Sequence, residues 1–213
     1  IVNNVISCMD TAFLLDSNIN KEKKIDLNEN LPKKFIGITV RNWQREKEFN
    51  NYVKSLVYFI EDYLSKELHS CIVFMPQVIG PSSYENDILV SLGIKSKIKV
   101  ELQDRVICLD KEFSPEELIY IYSRASFFIG TRLHSTIFAL LAEVPVMAIA
   151  YEPKTFGIFN DINLKDCYLD IRVLKMESIL NKYQTMKMMD EKVFINAKKI
   201  AAELALFGVS KII

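Results

Sequence analysis

Short apolar runs rich in β-branched residues recur along this chain, and a stretch of helical spacing separates most of them from the next. They are Phe35 to Val40, Cys71 to Met75, Arg105 to Leu109, Ser126 to Ile129, Val146 to Ala150 and a shorter one at Cys167 to Leu169. Runs this short and this continuously apolar are what strands buried on both faces look like. After the first, Phe49, Tyr52, Val53, Leu56, Phe59, Ile60, Tyr63 and Leu64 fall three and four residues apart, which puts them on the core face of a helix. Gly80-Pro81 breaks the chain before a helix expected from Ser83 or Tyr84. Ser114-Pro115-Glu116-Glu117 reads as a helix start, with a capping serine, a proline at the first position and acids in the first turn, and that helix is expected to run to about Arg124. Further helices are expected from about Leu133 to Ala142, near Val173 to Met186 and from Asp190 to Leu206, the last packing over the sheet or against another domain. The alternation implies an α/β fold: a Rossmann-like parallel sheet with right-handed crossovers and helices on both faces.

In such a sheet the residues that follow the strands share one rim, whatever their separation in sequence, and ligands bind on that rim. Gly130-Thr131-Arg132-Leu133-His134-Ser135 follows the fourth run and opens a helix, whose free N–H groups and positive dipole end favour an anion. Arg132 contributes a planar donor fork suited to a carboxylate or phosphate, His134 an imidazole able to carry a proton near neutral pH, and Thr131 and Ser135 two hydroxyls. Alone, these six residues also fit a helix-start salt bridge with a hydrogen-bonded histidine. The same rim gathers Arg41 and Trp43 after the first run, Gln77 after the second, and Tyr151, Glu152 and Lys154 after the fifth. Arg41 and Lys154 read either as surface cations or as ligands for an anion. Trp43, the only tryptophan, reads as a cover for the core or a platform for a sugar ring. His69 and Glu143 fall on the opposite rim and are left out of the site.

Lys plus Arg and Asp plus Glu balance at 27 each, and no basic stripe carries interleaved aromatics, which disfavours a nucleic-acid surface. Cys8, Cys71, Cys108 and Cys167 form no C-x-x-C pair or metal spacing and read as reduced core residues. With His69 and His134 the only histidines, no histidine-rich metal site is expected, nor any cofactor. The most apolar stretch, Ile137 to Ala150, is interrupted by Glu143 and Pro145 and is too short for a membrane span. Ile1 to Asn4 shows no initiator Met, basic n-region or cleavage site, so a cytoplasmic fragment of a longer chain is expected. Val5 to Leu15 is a short apolar stretch around Asp10, and Asp16 to Asn30 reads as a charged, solvated linker. The expected organisation is a connector or arm over residues 1–30 and a C-terminal Rossmann-like domain over residues 31–213.

The run from Gly130 to Ala139, then Val144-Pro145-Val146 and Ile149-Ala150-Tyr151-Glu152-Pro153-Lys154, resembles the signature region of the polysaccharide pyruvyl transferases. The likeness extends from about Phe35 to Leu164, and Arg41 matches an arginine that ends the first strand of that domain. Val5 to Leu15 resembles the segment joining the two halves of those enzymes, with Thr11 where a proline is expected. The resemblance implies one half of a glycosyltransferase-B-like two-domain architecture, with an N-terminal domain of the same chain as partner. It also implies transfer of a pyruvyl group from phosphoenolpyruvate to sugar hydroxyls of a polysaccharide or glycolipid precursor, giving a ketal and phosphate. A lipid-linked acceptor would bring peripheral membrane association.

Phosphoenolpyruvate carries a carboxylate and a phosphate, which matches Arg132, Arg41, Lys154 and a helix N-terminus on one rim. Its methylene carbon must be protonated, and His134, the only histidine on that rim, is assigned as general acid. Arg132 is the second catalytic candidate, and Arg41, Thr131, Ser135, Tyr151, Lys154, Gln77, Glu152 and Trp43 are candidates for binding substrate. The alternatives are a glycosyltransferase using a nucleotide sugar and a non-catalytic carbohydrate-binding domain. The fragment alone is expected to turn over poorly, since closure of two domains excludes water from such sites.

Overall fold

A computed structural model of the chain describes residues 8–15 and 31–211. The linker expected from Asp16 to Asn30 and residues 1–7 of the expected connector lie outside the described residues. Six strands form one fully parallel sheet: β1 (Phe35–Thr39), β2 (Cys71–Phe74), β3 (Val106–Cys108), β4 (Phe127–Gly130), β5 (Val146–Ala150) and β6 (Tyr168–Asp170), in the order β3-β2-β1-β4-β5-β6. Seven α-helices are described: α1 (Glu46–Lys66), α2 (Asp87–Lys95), α3 (Pro115–Ser123), α4 (Leu133–Leu141), α5 (Pro153–Asp161), α6 (Ser178–Met186) and α7 (Lys192–Ser210).

Every residue of β1, β4 and β5 is buried, which is why their sequences read as continuous apolar runs rather than alternating ones. The chain winds outward from β1 through β2 to β3, crosses back, and winds the other way from β4 through β5 to β6. With right-handed crossovers this puts the helices on both faces. α1 packs against α2 and α6, and α4 packs against α3 and α7. The reversal falls between β1 and β4, which pair with Thr39 opposite Gly130. A crevice outside the carboxyl ends of the strands opens at such a point.

Ser114 caps α3 as its sequence predicts: its hydroxyl accepts from Glu117 N–H, and the Glu117 carboxylate accepts from Ser114 N–H. Elsewhere the structure corrects the expected boundaries. The helix expected from Ser83 or Tyr84 begins as a 3-10 turn, Ser83–Glu85, and the α-helix starts only at Asp87, where Asn86 accepts from the N–H groups of Ile88 and Leu89. The stretch from Val173 to Met186 divides into a 3-10 turn, Ile171–Val173, and α6. A further 3-10 turn, Val100–Arg105, leads into β3.

The last helix packs back onto this domain. Its Lys198 Nζ donates to Leu141 O at 3.0 Å, satisfying a carbonyl at the end of α4, and lies 2.9 Å from Glu143 Oε1. Its other neighbour is a 3-10 turn, Thr11–Leu14, in the described part of the connector. Met9 and Phe13 are buried there, Phe13 to 2% exposure, so this segment joins the core of the sheet domain. A Cβ at Gly208 of α7 would overlap Cys8 Cβ and approach its Cα to 3.3 Å, so glycine permits the contact.

Candidate functional site

The turn after β4 is built by packing before it offers any chemistry. A Cβ at Gly130 would lie 2.5 Å from Thr136 Cγ2 and 2.9 Å from Ser135 Oγ, so glycine lets α4 start directly against the strand end. Beneath the turn, Thr131 N–H donates to Thr39 Oγ1 at 3.2 Å, Thr39 and Ser135 share a hydroxyl bond of 2.6 Å, and Ser135 Oγ donates to Arg132 O. The Thr131 hydroxyl bonds Tyr52 of α1 at 2.8 Å. Burial raises the Tyr52 phenol well above its ordinary value, so it remains a neutral hydrogen-bonding group. Thr131 and Ser135, expected to bind substrate, are thus fully engaged and buried; they stitch β4 to β1 and α1.

Arg132 emerges from this turn with its fork already in use. Nη2 donates to Asp87 Oδ1 at 2.6 Å and Nε to Oδ2 at 3.2 Å. Asp87, 1% exposed at the start of α2, also accepts from the backbone N–H groups of Gln77 and Val78 at 3.2 and 3.1 Å. A buried carboxylate with four such donors is well satisfied, and it holds the guanidinium in one orientation. Asp87 takes the side-on pair, Nε and one Nη2 hydrogen, so the two-bond grip expected on a substrate anion is confined to the end-on side of the guanidinium, Nη1 and the second Nη2 hydrogen. Sequence reasoning missed Asp87 because it lay inside a helix expected from Ser83 or Tyr84, where an acid reads as a solvated side chain.

A cleft of about 510 Å³ opens beside Arg132. Leu133 and His134 of α4, Glu152 and Lys154 at the start of α5, Tyr151 after β5, and Gln77 and Val78 after β2 line it, with Phe113, Pro115, Leu118 and Phe138 forming an apolar wall. Three helices start here because all three follow strands that end on this rim. α3 is closed by its capping box, whereas neither α4 nor α5 has a side-chain cap. Ser135 and Thr155 N–H turn back to Arg132 O and Glu152 O and Pro153 has no N–H, which leaves the N–H groups of Leu133, His134 and Lys154, with the two helix dipoles, to face an anion. Six of the expected site residues meet at this cleft: Arg132, His134, Tyr151, Lys154, Gln77 and Glu152.

Arg41 and Trp43 stand behind Tyr151 instead. The Arg41 guanidinium carbon lies 4.1 Å from the Tyr151 ring centroid, with Nη1 3.9 Å from Glu152 Oε1, and the Trp43 ring meets Tyr151 edge-on at 5.3 Å. Burial raises the Tyr151 phenol above its usual value, partly offset by Arg41, which suits it to shaping the cleft rather than accepting a proton. His69 is exposed before β2, on the far rim as expected.

The second residue that sequence reasoning left out is Asp10. Its Oδ2 lies 2.7 Å from Lys154 Nζ and 3.7 Å from His134 Nε2, and Oδ1 accepts from Ala12 N–H at 3.0 Å. Partial burial pushes its carboxyl upward, but the hydrogen bonds from Lys154 and Ala12 and the charges of Lys154 and His134 outweigh this and hold it below the ordinary carboxylate value. A lone acid inside the apolar stretch Val5 to Leu15 was the signal that could have found it. Among the described residues no cluster of three or more His, Cys, Asp or Glu side chains is placed to hold a metal ion, and no helix is long and apolar enough to cross a membrane.

The polysaccharide pyruvyl transferase profile matches residues 1–153, a span that takes in Asp10, Arg41, Asp87, Arg132, His134 and Tyr151. The chain belongs to the polysaccharide pyruvyl transferase family. The amylovoran biosynthesis protein AmsJ of Erwinia amylovora is 29% identical over 194 residues, a match covering 84% of this chain and 44% of AmsJ. The chain thus spans less than half the length of that curated relative. Among solved structures, the UDP-GlcNAc 2-epimerase of Methanocaldococcus jannaschii aligns with a TM-score of 0.62 at 14% identity, over 98% of this chain and 55% of the epimerase. The trehalose-phosphate synthase of Burkholderia xenovorans aligns with a TM-score of 0.55 at 10% identity, over 83% of this chain and 40% of the synthase. At such identities the likeness is one of fold. This polysaccharide pyruvyl transferase family member has the Rossmann-like sheet found in glycosyltransferase-B-type enzymes.

Proposed function

We propose that this chain carries the donor site of an enzyme that transfers a pyruvyl group from phosphoenolpyruvate to two hydroxyls of a sugar in a polysaccharide or glycolipid precursor. The observation that carries the reading is the meeting, in one cleft, of Lys154, Arg132 and His134 with the uncapped N-termini of α4 and α5. A small ligand with two anionic groups and a carbon that must be protonated matches that set. Lys154, Arg132 Nη1 and the helix N–H groups would hold the carboxylate and phosphate. His134 would deliver its proton to the methylene carbon, making a methyl group, while a sugar hydroxyl adds to the neighbouring carbon and its proton returns to the imidazole. The carbon–oxygen bond to phosphate then breaks, and the second hydroxyl closes the ketal, its proton leaving with the departing phosphate. One donor and one diol give one ketal and one phosphate. This chemistry assigns no step to a cofactor.

Calorimetric titration with phosphoenolpyruvate, beside His134→Ala, Lys154→Ala and a UDP-GlcNAc control, tests the donor assignment. The expected result is binding of phosphoenolpyruvate, weakened about tenfold or more in Lys154→Ala, as loss of a hydrogen bond to a charged group predicts, and largely retained in His134→Ala. Binding of UDP-GlcNAc with no response to phosphoenolpyruvate would overturn the proposal in favour of glycosyl transfer.

A further inference from the structure

Asp10 reaches the cleft from a segment that is part of neither the sheet nor its crossover helices. Its geometry is set from three sides. The Ala12 N–H fixes Oδ1, the neighbouring Met9 and Phe13 are buried in the core, and Cys8 lies in the gap that Gly208 leaves on α7. The remaining oxygen, Oδ2, points at Lys154 and His134, the two cleft residues to which the reading above gives the donor anion and the proton. A carboxylate of this chain therefore already engages Lys154, a cation that the reading above gives to the donor.

We infer that Asp10 is a positioning residue: the connector docks it against α4 and α5, where it holds Lys154 and the His134 imidazole in place until the anionic donor takes over Lys154. Asp10 then remains on the Nε2 side of His134, next to the positive charge that the ring carries before donating its proton, and leaves Nδ1 as the nitrogen directed elsewhere. A carboxylate that orients a histidine through one ring nitrogen fixes what the other can reach. Because the connector is held by α7, an element remote from the cleft governs whether Asp10 is present. The donor and turnover parts of this inference rest on the phosphoenolpyruvate reading; the placement of Asp10 does not.

The test separates the two. The chain has two histidines, so the imidazole signals of His134 and His69 are easily assigned by NMR in the ligand-free protein. At fixed pH, Asp10→Asn, which keeps an acceptor for Ala12 N–H, should move the His134 signals and leave those of His69 unchanged. Gly208→Ala, which drives Cys8 and its segment off α7, should move the same signals, and Cys8→Gly combined with Gly208→Ala should restore them by making room on the other side. In the full-length enzyme, Asp10→Asn should bind phosphoenolpyruvate about fivefold more tightly, because Lys154 is released, while kcat falls; about fivefold is the scale of a partly exposed ion pair. A merely structural role would not tighten binding while slowing turnover. His134 signals that stay in place in Asp10→Asn, or a double variant that behaves like Gly208→Ala alone, overturn the inference even if phosphoenolpyruvate binds. Failure of the wild type to bind phosphoenolpyruvate overturns the donor assignment and the handover of Lys154, while the NMR arm still decides the placement.

Discussion

Arg132 and Asp87 show how a residue legible in sequence acquires a part that is not. The arginine is conspicuous after β4, but its partner lies forty-five positions earlier and only the sheet order brings them together. Replacing Asp87 with Ala should cost on the order of 3 kcal/mol in urea unfolding, because the guanidinium and the Gln77 and Val78 amides lose a buried acceptor. Calorimetry should also show weakened donor binding in that variant once the arginine is free to swing; unchanged stability would mean that solvent replaces the carboxylate without cost. The thiols follow the same logic of surroundings. Burial pushes both Cys108 and Cys167 up to about 11. Alkylation at pH 8 should therefore be about a hundredfold slower at these two than at an ordinary thiol, and mass spectrometry should find exposed Cys8 modified first.

Among the elements, the central strands β1, β4 and β5 could be located within a residue or two from sequence because burial on both faces removes most polar residues from them, and α3 because its capping box is local. Asp10, by contrast, could not be placed. A lone acid in the apolar stretch Val5 to Leu15 marks it out, but its partners belong to α4 and α5, and a solitary carboxylate does not say which elements it will meet. Nor do the hydroxyls of Thr131 and Ser135 advertise, by type or spacing, that they are consumed beneath the turn. Phe13→Ala tests the docking itself: it should cost roughly 3–5 kcal/mol, the usual loss for a buried phenylalanine. If stability is unchanged, the segment is not part of the core. Asp10 gives this docking a pH dependence. Its carboxyl is held below 3.8 in the folded chain, so its contribution is complete above that value and disappears as the pH falls through the lower, folded one. The stability gap between wild type and Asp10→Asn should therefore stay level above about pH 4 and close in more acidic urea titrations. Its size should not exceed about 1 kcal/mol, since solvent screens the half-exposed Lys154.

For the whole molecule, the reversal of winding between β1 and β4 decides where chemistry can gather, and three helix starts and the ends of β2 and β5 converge on that side. The cleft is open: His134 and Lys154 have side chains 58% and 55% exposed. Water has free access, so this chain by itself should bind phosphoenolpyruvate without detectable ketal formation, as judged by phosphate release in the presence of sugar. Rapid release of phosphate dependent on a sugar acceptor would show that no covering domain is needed. The contact between Cys8 and Gly208 also has a bearing on the order of assembly. Nearly the whole described chain forms the loop that this contact closes, and closing so long a loop carries a larger entropic penalty than the local contacts do. The local turns and the consecutive strand–helix units should therefore form first and the clasp last. In hydrogen exchange, the amide of Leu15, bonded to Ala12 O, should open more readily than the amides of the central strands. Asp10 would then be among the last groups to arrive, making catalytic readiness the final event of folding.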